Sequence, residues 1–123
     1  CAAALAVLRI MKRDHILEKA AETGVYLHER LEEALGDHPN VGEIRHIGLI
    51  NAMELVEDRA TKKPFDPARR IGWQIFRRAM ARGLVLRPMG DVIYFNPPLT
   101  LDRETADKAV ELCREAVEDV LKK

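Results

Sequence analysis

The chain has 123 residues, of which 47% are hydrophobic and 33% charged, proportions typical of one globular domain with an apolar core. Its 20 basic and 20 acidic residues give a formal net charge of zero, so no long-range field would attract it to nucleic acid or to an anionic membrane. There is no apolar run of about 18 residues and no signal-peptide pattern, and we expect a single cytoplasmic domain, residues 1–123, with no nucleic-acid or membrane partner.

The first segment is helical in pattern from its first residue. "CAAALAVLRIMK" has no initiating Met and no Ser, Thr, Asp or Asn ahead of it to cap the first amide groups. This predicts a C-terminal fragment of a longer protein. Spacings of three and four predict one long helix, interrupted at Arg13 and ending near Gly36 in a left-handed cap, whose core-facing stripe consists of Ala3, Ala6, Ile10, Leu17, Ala20, Gly24, Leu27, Leu31 and Ala34. A glycine on that stripe indicates that another backbone comes close.

The next segments alternate between strands and a helix. Residues 41–56 are rich in Val, Ile and Leu and are divided by Gly48, which predicts two short strands or one strand with a bulge. Residues 57–69 lack periodicity and carry two prolines, so we expect a surface excursion. An amphipathic helix that ends at Gly83 is predicted next, with Trp73 at its edge and with apolar positions Ile71, Ile75, Phe76, Ala79 and Met80.

A hairpin and a final helix complete the chain. In "LRPMGDVIYFNPPL" we expect residues 88–91 to connect two strands, with Arg87 opposite Val92, and residues 97–98 to close the hairpin. Alternation then places Leu84, Leu86, Ile93 and Phe95 on the core face and Val85, Arg87, Val92, Tyr94 and Asn96 on the other. The last helix has its apolar face at Ala106, Val110, Cys113, Val117 and Leu121. This order predicts an α+β domain, a small mostly antiparallel sheet with helices on one face.

Arg87 is the candidate binding residue of the hairpin. Its guanidinium can grip a carboxylate or phosphate through two parallel hydrogen bonds, and Pro88 holds the backbone directly after it. Pattern alone leaves two alternatives open, an internal ion pair with an acidic residue and an exposed arginine without a role.

No other chemistry is evident in the sequence. The four histidines, His15, His28, His38 and His46, are scattered without metal-ligand spacing, so no metal site is predicted. Serine is absent, no lysine is placed for Schiff-base chemistry, and Cys113 lies on an apolar helix face. The two cysteines form no C-x-x-C pair, which favours a reduced compartment over a disulfide framework. We therefore predict that this domain carries no catalytic residues of its own.

Three blocks of the chain carry a family resemblance. The blocks "VGEIRHIGLINAMELVEDRATKKPF" and "RRIGWQIFRRAMARGLVLRPMGDVIYFNPPLT", together with the opening "CAAALAVL", resemble the C-terminal small domain of class III aminotransferases, which are pyridoxal-phosphate enzymes of fold type I. Within the family, "DRATKKPF" and "LRPMGDVIYFNPPL" most resemble the biotin-pathway members, which transfer an amino group from S-adenosylmethionine to 8-amino-7-oxononanoate. "INAMELVEDRATKKPFDP" is also similar to omega-amino-acid:pyruvate aminotransferases.

The resemblance implies a role for the hairpin and a location for the catalytic groups that this sequence lacks. It implies that Arg87 binds the carboxylate of a small amino or keto substrate and that Met89 lines the pocket. It also implies that the large domain of the same chain holds pyridoxal 5'-phosphate and its lysine, so that the fragment alone is inactive, and that the parent is a homodimer. The alternative is a non-catalytic domain that binds a carboxylate or a partner protein.

Overall fold

The computed structural model describes residues 1–122. In chain order the elements are α1 (Ala2–Arg13), α2 (Ile16–Leu35), β1 (Val41–Ile47), β2 (Ile50–Leu55), a short 3₁₀ turn (Pro67–Arg69), α3 (Ile71–Ala81), β3 (Arg87–Met89), β4 (Val92–Phe95) and α4 (Arg103–Leu121). The four strands form one antiparallel sheet in the order β1-β2-β4-β3. The predicted α+β class and the mostly antiparallel sheet are confirmed.

Three helices cover one face of the sheet. Helix α2 packs on β1 and β2, α3 packs beside β3, and α4 contacts both helices. The apolar positions predicted for α4 are all buried, because a spacing of three and four residues keeps them on one side of the helix. They share one core with Met53, Ile93 and Phe95 from the inner face of the sheet.

The predicted long helix is in fact two helices. His15 adopts φ 51°, ψ 42°, a left-handed conformation, which separates α1 from α2. None of the residues of α1 is buried, so the core-facing stripe predicted for it was wrong in this chain; Leu17, at the start of α2, is 59% exposed as well. From Ala20 onward the predicted stripe of α2 does face the core.

Helix ends differ in how they use glycine. Gly83 has φ +89°. The amide of Leu84 donates to the carbonyl of Ala79, and the amide of Gly83 donates to the carbonyl of Met80, so α3 closes with a Schellman motif. The predicted end of this helix at Gly83 is confirmed. Gly36, in contrast, is right-handed, with φ −58° and ψ −32°. The left-handed cap predicted there was wrong. Met80, predicted on the apolar face of α3, is 50% exposed.

Residues 41–56, predicted as two short strands or one strand with a bulge, form two strands. Gly48, with φ +55°, and Leu49 make the turn of the β1-β2 hairpin. A register shift at Gly42 adds a bulge to β1. Of the predicted surface excursion, residues 57–69, most residues are exposed, but Phe65 enters the core.

Each hairpin turn is held against a helix through a pair of glycines. A Cβ on Gly24 of α2 would lie 2.0 Å from the carbonyl oxygen of Gly48, and a Cβ on Gly72 of α3 would lie 2.1 Å from that of Gly90. The close approach expected at Gly24 is therefore confirmed. These contacts set the positions of both hairpins relative to the helices.

The second hairpin has a shorter connection than predicted. Arg87 lies opposite Tyr94 and Met89 opposite Val92, so the turn contains only Gly90 and Asp91. Gly90 has φ +60°, which a two-residue turn accommodates. The predicted pairing of Arg87 with Val92 was thus wrong by two residues. A shift of two preserves the alternation of side chains, so the predicted faces are correct for the residues within β3 and β4. Residues 84–86, predicted as part of the first strand, precede β3, and Asn96 follows β4.

Candidate functional site

The face of the sheet opposite the helices has no described element packed on it, and we call it the open face. Its positions follow from register and alternation: Glu43, Arg45 and Ile47 on β1, Ile50, Ala52 and Glu54 on β2, Val92 and Tyr94 on β4, and Arg87 and Met89 on β3. Several apolar members are strongly exposed, among them Ile47 at 78% and Met89 at 58%.

One row of residues crosses the open face from edge to edge. Arg45 is opposite Ala52, Ala52 is opposite Tyr94, and Tyr94 is opposite Arg87. Two arginines therefore stand at the two ends of the row, separated by a small residue and an aromatic one.

Arg45 is neutralised within the chain. Its guanidinium donates to Glu43 and to Glu54, each at 3.2 Å. Hydrogen bonding to Glu54 raises the pKa of Arg45, and the charges of Glu43 and Glu54 and the phenol of Tyr94 act in the same direction. The sequence pattern allowed an internal ion pair for Arg87, but it is Arg45 that forms one.

Arg87 differs from Arg45 in its partners. It is exposed, and among residues 1–122 no carboxylate lies within ion-pair distance of its guanidinium and no hydrogen bond holds it. Tyr94 beside it is half-buried and Met89 lies on the same face. An unpaired guanidinium on a partly apolar surface is suited to receive an anion from outside the domain.

The remaining titratable groups form no second centre among the described residues. No group of three His, Cys, Asp or Glu side chains within residues 1–122 is arranged to hold a metal ion. Burial raises the pKa of the Cys113 thiol to about 12, which makes it a poor nucleophile. The histidines are less scattered than expected, because the rings of His28 and His46 stack with their centroids 4.4 Å apart. Their separation in sequence gave no signal of this contact.

The helical side of the hairpin contains an apolar cavity of about 250 Å³, lined mostly by carbon-rich side chains that include Leu27, Leu86 and Phe95. No charged residue lines it. The cavity and Arg87 thus lie on opposite sides of the sheet, and this cavity offers no charged group for a substrate. In the part of the chain that the structure describes, none of the helices is long and apolar enough to cross a membrane.

A family model described as aminotransferase class III matches residues 1–117. The chain belongs to the class III aminotransferase family. This confirms the resemblance carried by the three sequence blocks.

Two curated relatives and one solved structure illustrate the relationship. The chain is 42% identical over 122 residues to diaminobutyrate–2-oxoglutarate transaminase of Halomonas elongata, covering 98% of this chain and 26% of the relative. It is 39% identical over 120 residues to adenosylmethionine-8-amino-7-oxononanoate aminotransferase of Geobacter sulfurreducens, covering 98% and 26%. A PMP-bound aminotransferase structure from Vibrio fluvialis superposes with a TM-score of 0.94 at 29% identity, covering all of this chain and 27% of that one.

This class III aminotransferase chain spans about a quarter of the length of these relatives. Its own residues do not fit the covalent attachment of a pyridoxal cofactor. Every described lysine is exposed on a helix, in the loop after β2 or near the C-terminal end, namely Lys12, Lys19, Lys62, Lys63, Lys108 and Lys122. Among residues 1–122, therefore, no lysine is desolvated enough to be an obvious Schiff-base amine.

Proposed function

We propose that this chain is the small domain of a pyridoxal-phosphate-dependent transaminase and that Arg87 binds the carboxylate of its substrate. The observation that carries the proposal is the contrast on the open face. Arg45 is held by two carboxylates of the chain, whereas Arg87 has no partner among the described residues. Family membership supplies a reaction in which many substrates carry a carboxylate.

The hairpin suits Arg87 to this task. Pro88 fixes the backbone torsion next to it, and the contact between Gly72 and Gly90 anchors the turn two residues further on. The guanidinium is therefore presented from a fixed strand while its long side chain can still adjust. A carboxylate bound through two parallel charge-assisted hydrogen bonds would be oriented as well as attracted.

The cofactor belongs to the rest of the longer protein in this proposal. Pyridoxal phosphate, when bound, supplies an electron sink for the amino-group transfer. The exposed lysines of this chain support placing its attachment site elsewhere, so the 123-residue chain alone would be inactive. The PMP-bound neighbour supports a cofactor of this type in the parent.

We propose further that the missing three quarters of the parent form the chain's main partner. The apolar side chains that α1 exposes, including Leu5, Val7, Leu8 and Ile10, and the open face are the surfaces such a large domain would cover. The parent is proposed to be a cytoplasmic homodimer.

Two substrates are supported by named relatives. The biotin-pathway reaction, amino transfer from S-adenosylmethionine to 8-amino-7-oxononanoate, is the specific candidate from the hairpin and loop sequences, and relatives of 39%, 37% and 32% identity carry that name. Transfer from 2,4-diaminobutyrate is the second candidate, supported by the relative of 42% identity. Steady-state rates of the full-length enzyme with both donor and acceptor pairs discriminate the two.

The role of Arg87 is tested with two donors that differ only by a carboxylate, 2,4-diaminobutyrate and 1,3-diaminopropane. In the full-length enzyme, Arg87→Ala should raise KM for 2,4-diaminobutyrate by about 10- to 100-fold, since the loss of the charge-assisted contact as a whole is expected to cost about 1.5 to 3 kcal/mol. KM for 1,3-diaminopropane should stay within about twofold.

Arg59→Ala is the matched control, because Arg59 is an exposed arginine in the loop after β2 and lies outside the open face. It removes the same charge and should affect neither KM. Equal changes for both donors in Arg87→Ala would refute the carboxylate role.

A further inference from the structure

One carboxylate of the open face, that of Glu54, lies within reach of Arg87, the arginine that must stay free in the proposed function. Glu54 is two strands away from Arg87 and two residues along the sheet, in the row of Val92 and Met89. Two strand spacings across and two residues along amount to about 12 Å between backbones, a gap that extended arginine and glutamate side chains can bridge together. In the structure this contact is not made, and Glu54 is held by Arg45 instead.

The two open-face residues of β4, the strand between Arg87 and Glu54, are Val92 and Tyr94, and Tyr94 is the larger. Tyr94 stands directly opposite Arg87 on one side and opposite Ala52 on the other. Ala52 is only 6% exposed although no described helix covers its face, so the larger side chains beside it in the row cover it. Its methyl group leaves room for the tyrosine ring above the strand.

The Tyr94 side chain is half-buried, and its phenol contributes to the raised pKa of Arg45, after Glu54 and Glu43. Because Tyr94 is the residue of β4 directly opposite Arg87, its ring stands on the strand that separates Arg87 from Glu54.

We propose that Tyr94 is a positioning residue that keeps Arg87 free for the substrate carboxylate, because its ring separates that guanidinium from Glu54. This inference rests on the proposed role of Arg87. It means that a side chain of the small domain prevents Arg87 from forming an ion pair with Glu54. The ring, and not the hydroxyl group, is the part that matters.

The test uses the full-length enzyme with the same pair of donors, 2,4-diaminobutyrate and 1,3-diaminopropane. Tyr94→Ala opens the path to Glu54, and KM for 2,4-diaminobutyrate should rise at least fivefold while kcat and the KM for 1,3-diaminopropane remain within twofold. Tyr94→Phe keeps the ring and should behave as wild type. Tyr94→Thr, which also removes the ring but suits a strand better than alanine does, serves in place of the alanine variant if that protein does not fold.

The decisive variant combines Tyr94→Ala with Glu54→Gln. Removing the competing charge should restore KM for 2,4-diaminobutyrate to within twofold of wild type, whereas Glu54→Gln alone should be neutral because Arg45 keeps Glu43. The proposal is overturned if this rescue fails or if KM for 2,4-diaminobutyrate does not change in Tyr94→Ala. It is also overturned if Tyr94→Ala changes KM equally for both donors, or if Tyr94→Phe is as impaired as Tyr94→Ala. A donor-independent effect of Arg87→Ala would instead refute the carboxylate role itself, so the two failures are distinguishable.

Discussion

Gly72 of α3 and Gly90 of the β3-β4 turn are in backbone contact, so close that a Cβ on Gly72 would lie 2.1 Å from the carbonyl oxygen of Gly90. The start of one helix thus fixes the turn of the hairpin that carries Arg87.

Gly72→Ala should disturb that hairpin. The added methyl group forces the turn away from α3, and we expect a loss of about 1 to 3 kcal/mol in the free energy of unfolding, measured by thermal or urea denaturation. In the full-length enzyme, KM for a carboxylate-bearing donor should also rise. Gly24→Ala is the matched control, since it creates an equally short contact at 2.0 Å with Gly48 in the other hairpin. It should destabilise similarly but leave the carboxylate preference unchanged, and an equal loss of preference in both variants would contradict the link to Arg87.

Cys113 should make stability depend on alkaline pH. Burial raises the pKa of its thiol from 9.0 to about 12, so the folded chain holds a proton that the unfolded chain releases above pH 9. The contribution of this thiol to the free energy of unfolding is fully present below pH 9. As the pH rises toward 12, that contribution falls by about 1.4 kcal/mol per pH unit at most. Urea denaturation of wild type and Cys113→Ala from pH 8 to 10.5 measures this. The difference in free energy of unfolding between wild type and Cys113→Ala should become smaller as the pH is raised. A constant difference would show that the thiol does not titrate as described.

Arg82 and Arg114 form ion pairs of equal number but different span. Arg82 of the α3 C-cap contacts Glu115 and Asp119 on α4, whereas Arg114 contacts Glu111 and Glu118 within α4. Ion pairs within one helix add little to the stability of the fold, because the helix already holds the backbones of both residues in place. Arg82→Met should therefore lower the melting temperature more than Arg114→Met, as measured by circular dichroism, and raising the salt concentration should reduce the difference. The opposite ranking would contradict a role for Arg82 in joining the helices.

Asn40 connects the start of β1 to the chain that follows β2. It is buried, and its side-chain amide donates to the carbonyls of Val56 at 3.0 Å and Glu57 at 3.2 Å. Asn40→Ala leaves both carbonyls without this donor, and we expect a loss of about 1 to 3 kcal/mol in the free energy of unfolding. Asn96→Ala, at an exposed position after β4, should change the free energy by less than about 0.5 kcal/mol. Comparable losses in both variants would count against the buried hydrogen bonds.

Several features of the fold could be predicted from the sequence because they depend on local periodicity. The buried face of α4 from Ala106 to Leu121 follows from helical spacing. The Schellman end at Gly83 follows from the freedom of glycine at positive φ. The two faces of the second hairpin follow from alternation alone, which is why they are correct although the predicted register is not.

Other features depended on contacts that no local pattern contains. The predicted interruption at Arg13 coincides with the end of α1. That the chain turns there into a second helix, through a left-handed His15, was not predicted, because the apolar spacing resumes at Leu17. The exposure of α1 could not be predicted either, since an amphipathic pattern shows that a face is apolar but not whether its partner lies within the same chain. The stacking of His28 on His46 joins a helix to a strand across a distance in sequence that spacing does not encode.

By itself the sequence determined the class of the domain, its family and the side of the hairpin on which Arg87 lies, because periodicity, turn chemistry and motif order are all local properties. Only the tertiary structure decided which arginine of the open face is neutralised. Arg45 and Arg87 are the same residue type in similar strands, but cross-strand register places Arg45 beside Glu54 and places Tyr94 beside Arg87. A guanidinium is bound or free according to the neighbours that register brings to it, and those neighbours are remote in sequence.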